Sequence, residues 1–249
     1  MKISIITVCF NSAETVEDTI LSVLAQSYPD IEYIVVDGAS KDSTLEIISR
    51  YETRISTVVS EPDKGIYDAM NKGIALSTGD YVGILNSDDV FADTEVINRL
   101  VMHLQANPQL DATFADLVFV ERDNLDKITR RYTSSWFSPW MVRFGLMLPH
   151  PTFYAKRRLF NEHGNYKLGY RVAADFELMA RFLRAGIKVS CHESIMVKMR
   201  QGGISTSGFW WRVHQNLEIV RACRENGIYT NILMVSMKLP FKLYSLIRR

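Results

Sequence analysis

Two aspartates, Asp88 and Asp89, stand side by side in the segment LNSDDV, at the end of the apolar run DYVGIL. The composition of that run predicts a strand inside a sheet. Adjacent carboxylates repel each other, and burying either one without a partner costs free energy. A hard divalent cation would remove this cost, because Mg²⁺ and Mn²⁺ prefer oxygen ligands and Mg²⁺ is usually held by one or two carboxylates plus substrate phosphates. The pair therefore predicts a metal site that binds a diphosphate, with one aspartate on the metal and the other accepting from a ribose hydroxyl.

The elements that must position these aspartates alternate along the first part of the chain. Strand-like segments, each followed by a segment with helical spacing, read KISIITVCF, IEYIVVDGAS, ISTVVSEPD and GDYVGILNSDD. Asn11 and Glu14 form a capping-box pattern that predicts the start of the first helix. Fourfold alternation is typical of a parallel sheet with helices on both faces, and we predict an α/β fold of this kind.

Polar side chains stand where the predicted strands end. The five positions are Asn11, Asp37, Asp63, Asp88 and Asp89. In a parallel sheet, functional residues gather at the carboxyl ends of strands, so these side chains are expected to share one site. Any one of them alone could be a helix cap or a turn former. Two adjacent aspartates are harder to explain that way, since one carboxylate is enough for a cap.

The pattern changes after residue 111. DATFADLVFVER and KITRRYTSSW predict two paired strands, and FELMARFLRAG predicts an amphipathic helix that begins near Asp175. IKVSCHES and IMVKMR predict two short strands. From about Phe209 the chain is predicted to be a helical tail, interrupted near Gly227 and at Pro240.

Charge divides the chain into two unlike halves. Residues 1–125 contain 8 Lys+Arg and 21 Asp+Glu, a net charge of −13, whereas residues 126–249 contain 21 and 7, a net charge of +14. Such asymmetry suggests that the halves face different partners. The basic residues are mixed with aliphatic ones and are not clustered, so nucleic acid is not an expected partner.

Several other classes of protein lack support in the sequence. The three cysteines are odd in number and far apart, which predicts neither a disulfide framework nor a cysteine metal site and indicates a reducing compartment. The first strand is followed by no GxGxxG, and no GxxxxGK[ST] is present, so dinucleotide and P-loop binding are not expected. The N-terminal segment does not read as a signal peptide, and no apolar run is long enough to predict a membrane span.

Four segments in a fixed order resemble a known family. They are TVCFNSAETVEDTILSVLAQSY, VVDGASKDST, SEPDKGIYDAMNKGIALSTGDYVGILNSDD and AADFELMAR. Together they resemble a family 2 glycosyltransferase of the GT-A fold, of the type that builds bacterial surface polysaccharides. The resemblance is nearly continuous over residues 1–105, patchier over 145–205 and absent beyond about residue 210. It implies a GT-A domain over 1–205, with a nucleotide-sugar-binding half at 1–110 and an acceptor-binding half at 111–205.

The resemblance also implies roles for single residues. Asp37 would bind the nucleobase of a nucleotide-sugar, Asp88 the ribose, and Asp89 the divalent metal, Mn²⁺ or Mg²⁺. Asp175 would be the catalytic base. The segment QGGIS, from Gln201, would cover the donor diphosphate.

Some positions depart from the family pattern. Asn86 stands where a further aspartate is common, and Gly38 follows Asp37 where a second aspartate is common. Met70 stands where the family often has an arginine before the Asn-x-Gly of the third helix. Donor binding is therefore expected to involve Asn71, together with a substitute cation chosen from Lys64, Lys72 and Arg200.

The implied reaction is transfer of one sugar from a nucleoside-diphosphate sugar to a hydroxyl, with inversion at the anomeric carbon. The expected acceptor is a lipid-linked oligosaccharide at the cytoplasmic face of the cell membrane. Two alternatives remain open on the sequence alone: a non-catalytic nucleotide-sugar-binding scaffold subunit, and a nucleotidyltransferase. Donor hydrolysis separates all three, because a glycosyltransferase usually releases free nucleoside diphosphate.

Two further features remain open at this stage. His150, in LPHPTF, is either a turn or core residue or a contact to the acceptor or the metal. Residues 206–249 form a helical, basic segment, and from Tyr229 to Arg249 they contain four basic residues and no acidic one. We predict that this tail lies in a membrane interface as a peripheral contact, aided by Trp210 and Trp211.

Overall fold

The computed structural model describes residues 1–202 and 209–238, and the first part of this chain alternates strand and helix as the sequence predicts. The elements are β1 (Ile3–Cys9), α1 (Val16–Leu24), β2 (Ile31–Asp37), α2 (Thr44–Ser49), β3 (Thr57–Ser60), α3 (Ile66–Leu76) and β4 (Tyr81–Ile84). The strands β3, β2, β1 and β4 lie side by side in that order, and all are parallel. Their carboxyl ends therefore meet at one edge of the sheet.

The second part of the chain extends the same sheet with mixed strand directions. Its elements are β5 (Asp89–Phe91), α4 (Val96–Ala106), β6 (Ala112–Glu121), β7 (Asn124–Tyr132), β8 (Tyr154–Lys156), α5 (Arg158–His163), α6 (Ala174–Arg184), β9 (Val189–Arg200), α7 (Phe209–Glu225) and α8 (Ile232–Ser236). The strand order continues from β4 through β8, β6 and β9 to β5, and β7 pairs with β6. Strand β8 runs antiparallel to β4, whereas β6 and β9 are parallel to each other.

Helices cover both faces of the sheet, which confirms the predicted layering. Alternate side chains of β1 point to opposite faces, so Ile6 and Val8 join one buried cluster while Ile3 and Ile5 join the other. The first cluster also contains side chains of α3, α6 and α7, and the second contains those of α1, α2 and α4. A sheet buried on both faces explains why β1 and β2 read as nearly continuous apolar runs.

The fourth predicted strand is shorter than its apolar run. Strand β4 ends at Ile84, and the chain turns over the residues that follow; we name residues 85–89 the aspartate turn. The main-chain N–H of Asp89 donates to the carbonyl oxygen of Asn86 at 3.0 Å and closes this turn. Asp89 then begins β5, where it pairs with Met199 of β9. The two aspartates thus lie in a turn between strands and not on the end of β4.

Two other local predictions are wrong. Asn11 does not cap α1, because the helix begins at Val16 and Asn11 takes a positive φ of 49° with its side-chain oxygen accepting from the N–H of Lys41. The two short strands expected after α6 form the single strand β9. A shift of register opposite Ala115 interrupts its pairing with β6, which explains the break in the sequence pattern.

The helical tail packs on the rest of the chain. In α7, the side chains of Ile219, Ala222 and Cys223 are buried in the same cluster as α3 and α6. Residues 239–249, including Pro240, lie outside the described residues. Among the described helices, we find none that is both long enough and apolar enough to cross a bilayer.

Candidate active site

The predicted site residues of the first half gather at the carboxyl edge of the parallel strands. A chain of hydrogen bonds joins the ends of β1, β2 and β4. The hydroxyl of Ser40 donates to Asp37 and accepts from the main-chain N–H of Asn11 at 2.8 Å. The hydroxyl of Ser12 lies 2.9 Å from that of Ser87 in the aspartate turn. The structure therefore brings Asp37 and the aspartate pair to one edge, as the parallel sheet predicts.

Asp37 is fully buried and has many partners within its own chain. Its carboxylate accepts from both the N–H (3.0 Å) and the hydroxyl of Ser40, from the hydroxyl of Ser60 at 2.7 Å, and from the thiol of Cys9 at 3.7 Å. Since a carboxylate offers about four acceptor positions, these donors occupy its capacity. Contact between Asp37 and a nucleobase, which stays a prediction, would require a serine hydroxyl to turn away.

Gly38 departs from the family pattern for a reason visible in the structure. A Cβ atom at this position would meet the Oδ2 atom of Asp63 at 2.4 Å, so the Asp63 carboxylate would have to shift. Asp63 accepts from the N–H of Gly65 at 2.8 Å, just before α3. The absence of a side chain at residue 38 therefore lets Asp63 keep this bond while the loops after β2 and β3 lie close together.

The aspartate pair lies in an environment that disfavours its charge. Asp89 is fully buried, and burial raises the pKa of its carboxyl well above its usual value, with the charge of Asp88 adding to the effect. Burial likewise raises the pKa of Asp88, which is half-buried. Both shifts arise in the protein alone, and a bound cation would reverse them.

Two buried oxygen atoms of this turn lack a hydrogen-bond partner in the described part of the chain: Oδ1 of Asp89 and Oδ1 of Asn86. Oxygen donors of this kind fit a hard divalent cation. Over residues 1–202 and 209–238, no group of three or more His, Cys, Asp or Glu side chains could hold a metal by itself. Substrate phosphates would then have to complete the coordination, as is usual for Mg²⁺.

Arg200, a candidate cation for the donor diphosphate, is buried behind the aspartate turn. Its guanidinium donates to the carbonyl oxygens of Asp88 (3.1 Å) and Arg122 (3.0 Å) and to the carboxylate of Asp18 on α1. These bonds tie the end of β9 to the aspartate turn. Its charge lowers the pKa of both aspartates without offsetting their burial. The structure thus uses Arg200 to position the turn; beyond Gly202 the QGGIS segment lies outside the described residues.

The candidates from α3 have other partners. Both polar atoms of the Asn71 amide bond the main chain of Tyr166, at 2.9 Å and 2.8 Å. The Lys72 ammonium lies 2.8 Å from Glu61, which raises the lysine pKa, and donates to the carbonyl of Pro62 at 2.9 Å. Lys64 has an exposed side chain. Donor contacts by these three residues stay predictions, and only Lys64 could make one without giving up a bond described here.

Asp175, the predicted base, lies in the first turn of α6. Its side chain keeps some solvent exposure within densely packed surroundings, and its carboxylate accepts from the N–H of Phe176 at 2.7 Å. Burial raises the pKa of Asp175 to about 6, the negative charge of Glu218 adds to this, and the bond from Phe176 opposes it. A carboxylate with this pKa is ionised at neutral pH and is still basic enough to accept a proton.

The segment before Asp175 is held from two sides. From α3, the hydroxyl of Tyr67 donates to the carbonyl of Val172 at 2.8 Å. From α7, the carboxylate of Glu218 accepts from the N–H groups of Arg171, Val172 and Ala173 at 2.7, 2.8 and 2.9 Å. Because Tyr67 follows the loop of Asp63, these contacts bring Asp175 to the same edge of the sheet as Asp37.

Glu218 was not among the residues singled out in the sequence. The only available signal was its rarity, since Glu218 and Glu225 are the sole carboxylates of residues 206–249. In a basic segment, a retained acidic residue is a candidate for a specific bond. Nothing local in the sequence connects it with residue 173, however, because 45 positions separate them.

His150 is a buried residue linked to the same region. One of its ring nitrogens, Nε2, lies 2.7 Å from the hydroxyl of Tyr166, and the two rings meet edge to face. Burial lowers the pKa of His150 to about 4, so the ring is neutral at physiological pH. Tyr166 also stacks on Tyr67. Of the two interpretations of His150, the core residue therefore has direct structural support, and a contact to the acceptor or metal stays a prediction.

The chain is similar to known glycosyltransferases over most of its length. The family model for glycosyl transferase family 2 matches residues 4–182. An uncharacterised glycosyltransferase of Mycobacterium tuberculosis, Rv1514c, is 34% identical over 181 residues, covering 72% of this chain and 68% of that protein. WfaP of Escherichia coli, a UDP-Glc:α-D-GlcNAc-diphosphoundecaprenol β-1,3-glucosyltransferase, is 25% identical over 219 residues. That match covers 86% of this chain and 84% of WfaP.

Solved structures show the same fold. The mannosyltransferase PcManGT of Pyrobaculum calidifontis, in complex with GDP-Man and Mn²⁺, superposes with a TM-score of 0.68 and 20% identity. The match covers 90% of this chain and 63% of that chain, less than two thirds of its length. At this identity the likeness establishes the GT-A fold alone. The match of the family model over most of the chain, on a GT-A fold with carboxylates at the strand ends, establishes that the chain belongs to glycosyl transferase family 2.

Proposed function

We propose that this glycosyltransferase moves one sugar from a nucleoside-diphosphate sugar to a hydroxyl of a lipid-linked oligosaccharide, with inversion and with the aid of a divalent metal. The observation that carries the proposal is the unlike surroundings of two carboxylates, Asp89 and Asp175, at one edge of the sheet. Asp89 is buried with an unpartnered oxygen, whereas Asp175 is partly exposed with a pKa of about 6. Unlike environments suit one carboxylate to a cation and the other to a proton.

In the proposed reaction, Asp175 accepts the proton of the acceptor hydroxyl while that oxygen attacks the anomeric carbon. The bond between this carbon and the diphosphate oxygen breaks in the same displacement, so the configuration inverts. The first turn of α6 keeps Asp175 ionised, through its helix dipole and the N–H of Phe176. The half-buried Asp88 is the proposed acceptor for a ribose hydroxyl.

Asp89 and the amide oxygen of Asn86 would hold the metal. When bound, a divalent cation supplies charge that stabilises the departing diphosphate. Support for a metal also comes from PcManGT, whose structure contains Mn²⁺ with GDP-Man. We propose that Asp37 recognises the nucleobase through a rearrangement of Ser40 or Ser60.

The lipid-linked acceptor is proposed from WfaP, whose name gives a sugar on diphosphoundecaprenol as its substrate. Such a lipid lies in a membrane, so we propose that the protein works at the cytoplasmic face of the cell membrane as a peripheral protein. The tail is the proposed contact, with one revision: α7 packs into the core, so residues 206–249 cannot lie in the interface as a whole.

Donor hydrolysis tests the reaction class. Purified protein incubated with single nucleoside-diphosphate sugars and Mn²⁺ is expected to release free nucleoside diphosphate. A nucleotidyltransferase would instead release pyrophosphate from a nucleoside triphosphate, and a scaffold subunit would release nothing. Membership of the family favours the first outcome. Release of product without added divalent cation, at an unchanged rate, would contradict the proposed metal dependence.

A further inference from the structure

The fold brings together two segments that are far apart in the sequence. A 3₁₀ helix over Pro139–Phe144 packs against the region of α8. The hydroxyl of Thr230 donates to the carbonyl of Arg143, and the Cβ position of Gly145 lies 3.0 Å from the side chain of Val235. Gly145 has a φ of +70°, which a glycine adopts without strain, so the chain can turn sharply there.

Large apolar side chains project from both segments into solvent. Leu233 is 76% exposed, Tyr229 74% and Trp140 55%. On α8 the inward side chain, Val235, is fully buried, so the exposed ones form the outer side of that helix. We name this the Trp140–Leu233 surface and define it by its exposed members: Trp136, Trp140, Tyr229, Ile232, Leu233 and Met237. Because the two segments pack together, we expect these side chains to lie in one apolar patch, and a large exposed patch of this kind marks an interaction site.

The charges around this surface select the kind of partner. The chain contains no acidic residue between Asp126 and Glu162, and none after Glu225. Arg143 is exposed within the first segment. An apolar surface with tryptophan and tyrosine, an exposed arginine and no carboxylate within either segment complements an anionic bilayer. A protein partner would be expected to meet some carboxylates at the rim.

We propose that the Trp140–Leu233 surface docks the protein on an anionic lipid bilayer, a proposal that rests on the proposed function because the acceptor would reside in that bilayer. The surface differs from the anchor expected from the sequence. Trp211 is not part of it: that side chain is half-buried, with the guanidinium of Arg171 5.6 Å from its ring. The anchor is instead composite: four of its six side chains come from α8 and its flanking residues, and two from a segment some 90 residues earlier in the chain.

The Trp140–Leu233 surface lies close to the part of α7 that positions Asp175. The Cβ position of Gly145 is 3.3 Å from the side chain of Ile219, which is the neighbour of Glu218 in α7. Glu218 bonds the segment that leads into Asp175. Docking through this surface therefore sets the orientation of α7, and with it that of Asp175, relative to the bilayer.

Vesicle flotation of the full chain tests the proposal. The wild type is expected to float with vesicles of phosphatidylcholine and phosphatidylglycerol, and much less with phosphatidylcholine alone. The double variant Trp140→Ser, Leu233→Ser is expected to float at least about tenfold less with the anionic vesicles. Met102→Ser is the matched control, because Met102 is 68% exposed on α4, outside this surface. Arg143→Glu tests the charge separately and is expected to weaken flotation.

Three results would overturn the proposal: wild type that does not float, a double variant that floats as well as the wild type, and equal flotation with both kinds of vesicle. A wild-type dimer that the double variant converts to a monomer would assign the surface to a second copy of the chain. Donor hydrolysis by each variant in vesicle-free buffer keeps the two hypotheses apart. Flotation without any donor hydrolysis would contradict the proposed function. Hydrolysis without flotation would contradict only the proposal that this surface docks on a bilayer.

Discussion

The carboxylate of Glu218 accepts a hydrogen bond from the main-chain N–H of Ala173 at 2.9 Å, two residues before Asp175. It accepts from the N–H groups of Val172 and Arg171 as well. These donors lie in the approach to α6, where no turn of helix precedes them to supply carbonyl partners. A residue of α7 therefore fixes the backbone that carries the proposed base, and it also brings a negative charge close to that base.

The first prediction concerns the charge of Glu218. Glu218→Gln removes the charge that helps to raise the pKa of Asp175; its amide oxygen can keep the bonds from Val172 and Ala173 but gives up the bond from Arg171. The pKa of Asp175 should fall, and since the ionised form is the proposed base, activity should persist to lower pH. The acidic limb of the profile of kcat/KM against pH is expected to move to lower pH by about half a pH unit. Glu225→Gln is the control, because Glu225 pairs with Lys167 and Arg221. If the acidic limb of the kcat/KM profile does not move in Glu218→Gln, the role of Glu218 is purely structural.

Asp175→Asn should abolish most of the transfer activity. Asparagine serves a helix N-terminus about as well as aspartate but cannot accept the proton of the acceptor hydroxyl. Transfer should fall by roughly 10²–10⁴-fold. Donor binding, followed by thermal shift with Mn²⁺, should be kept. If this variant folds, binds donor and transfers at nearly the wild-type rate, Asp175 is not the base. Glu177 is then a poor substitute, since it is fully buried and paired with Arg181 and Lys167.

The same variant should gain stability at neutral pH. Burial raises the folded-state pKa of Asp175 to about 6, above its unfolded value. Folding is therefore penalised as pH rises through this range, while at pH values below the unfolded pKa the penalty vanishes. Asp175→Asn should exceed the wild type by as much as about 2 kcal/mol in unfolding free energy near pH 7.5, and by little near pH 4. Urea unfolding at both pH values would show this, and a difference that did not depend on pH would contradict it.

Asp89→Ala should remove the cation dependence of donor binding without unfolding the protein. The replaced carboxylate is fully buried and lies on the short edge strand β5, and one of its oxygens has no hydrogen-bond partner. Isothermal titration with a nucleotide-sugar, with and without Mn²⁺, is the direct measurement. Asp126→Asn, an exposed aspartate paired with Lys198, is a suitable control. If Asp89→Ala keeps both the donor affinity and its Mn²⁺ dependence, Asp89 is not the metal ligand.

Gly38→Ala should destabilise the strand-end loops. Its Cβ would meet the Oδ2 atom of Asp63 at 2.4 Å, so the Asp63 side chain must move away from the N–H of Gly65. A loss of about 1–3 kcal/mol in unfolding free energy is expected. The double variant with Asp63→Ala removes the obstacle and should recover part of the loss, a coupling that a double-mutant cycle measures. If the changes in unfolding free energy of the two single variants simply add, residues 38 and 63 do not interact.

The sequence predicted those parts of the fold that depend on local patterns. Strands β1 to β4 and their helices were foreseen because each has its own periodicity and turn residues. The end of β4 was misplaced, because apolar composition continues through Leu85 while the turn depends on a bond between Asn86 and Asp89. Strands β5 and β8, three residues each, have too little length to show a period and exist through pairing with distant strands.

The candidate site divides in the same way. Asp37, Asp88 and Asp89 could be named from the sequence because they follow strands, and Asp175 because it begins a helix that resembles the family. The bonds of Arg200 and Asn71 could not, because their partners lie on other elements, at least 78 positions away. Side-chain bonds between distant segments leave no periodic signal, and only a folded structure reveals them.

The bond between Glu218 and Ala173 also bears on the order in which this protein becomes competent during synthesis. The parallel strands, with Asp37, can form once β4 has emerged from the ribosome, and the aspartate turn gains its partners when β9 and Arg200 have followed. Ala173 gains its carboxylate partner only after 45 further residues have followed it. We expect a nascent chain to reach a state in which the strand ends are formed while Asp175 is still unseated. Such a chain would present the donor-binding residues without a positioned base. Translation itself would then delay sugar transfer until α7 has docked.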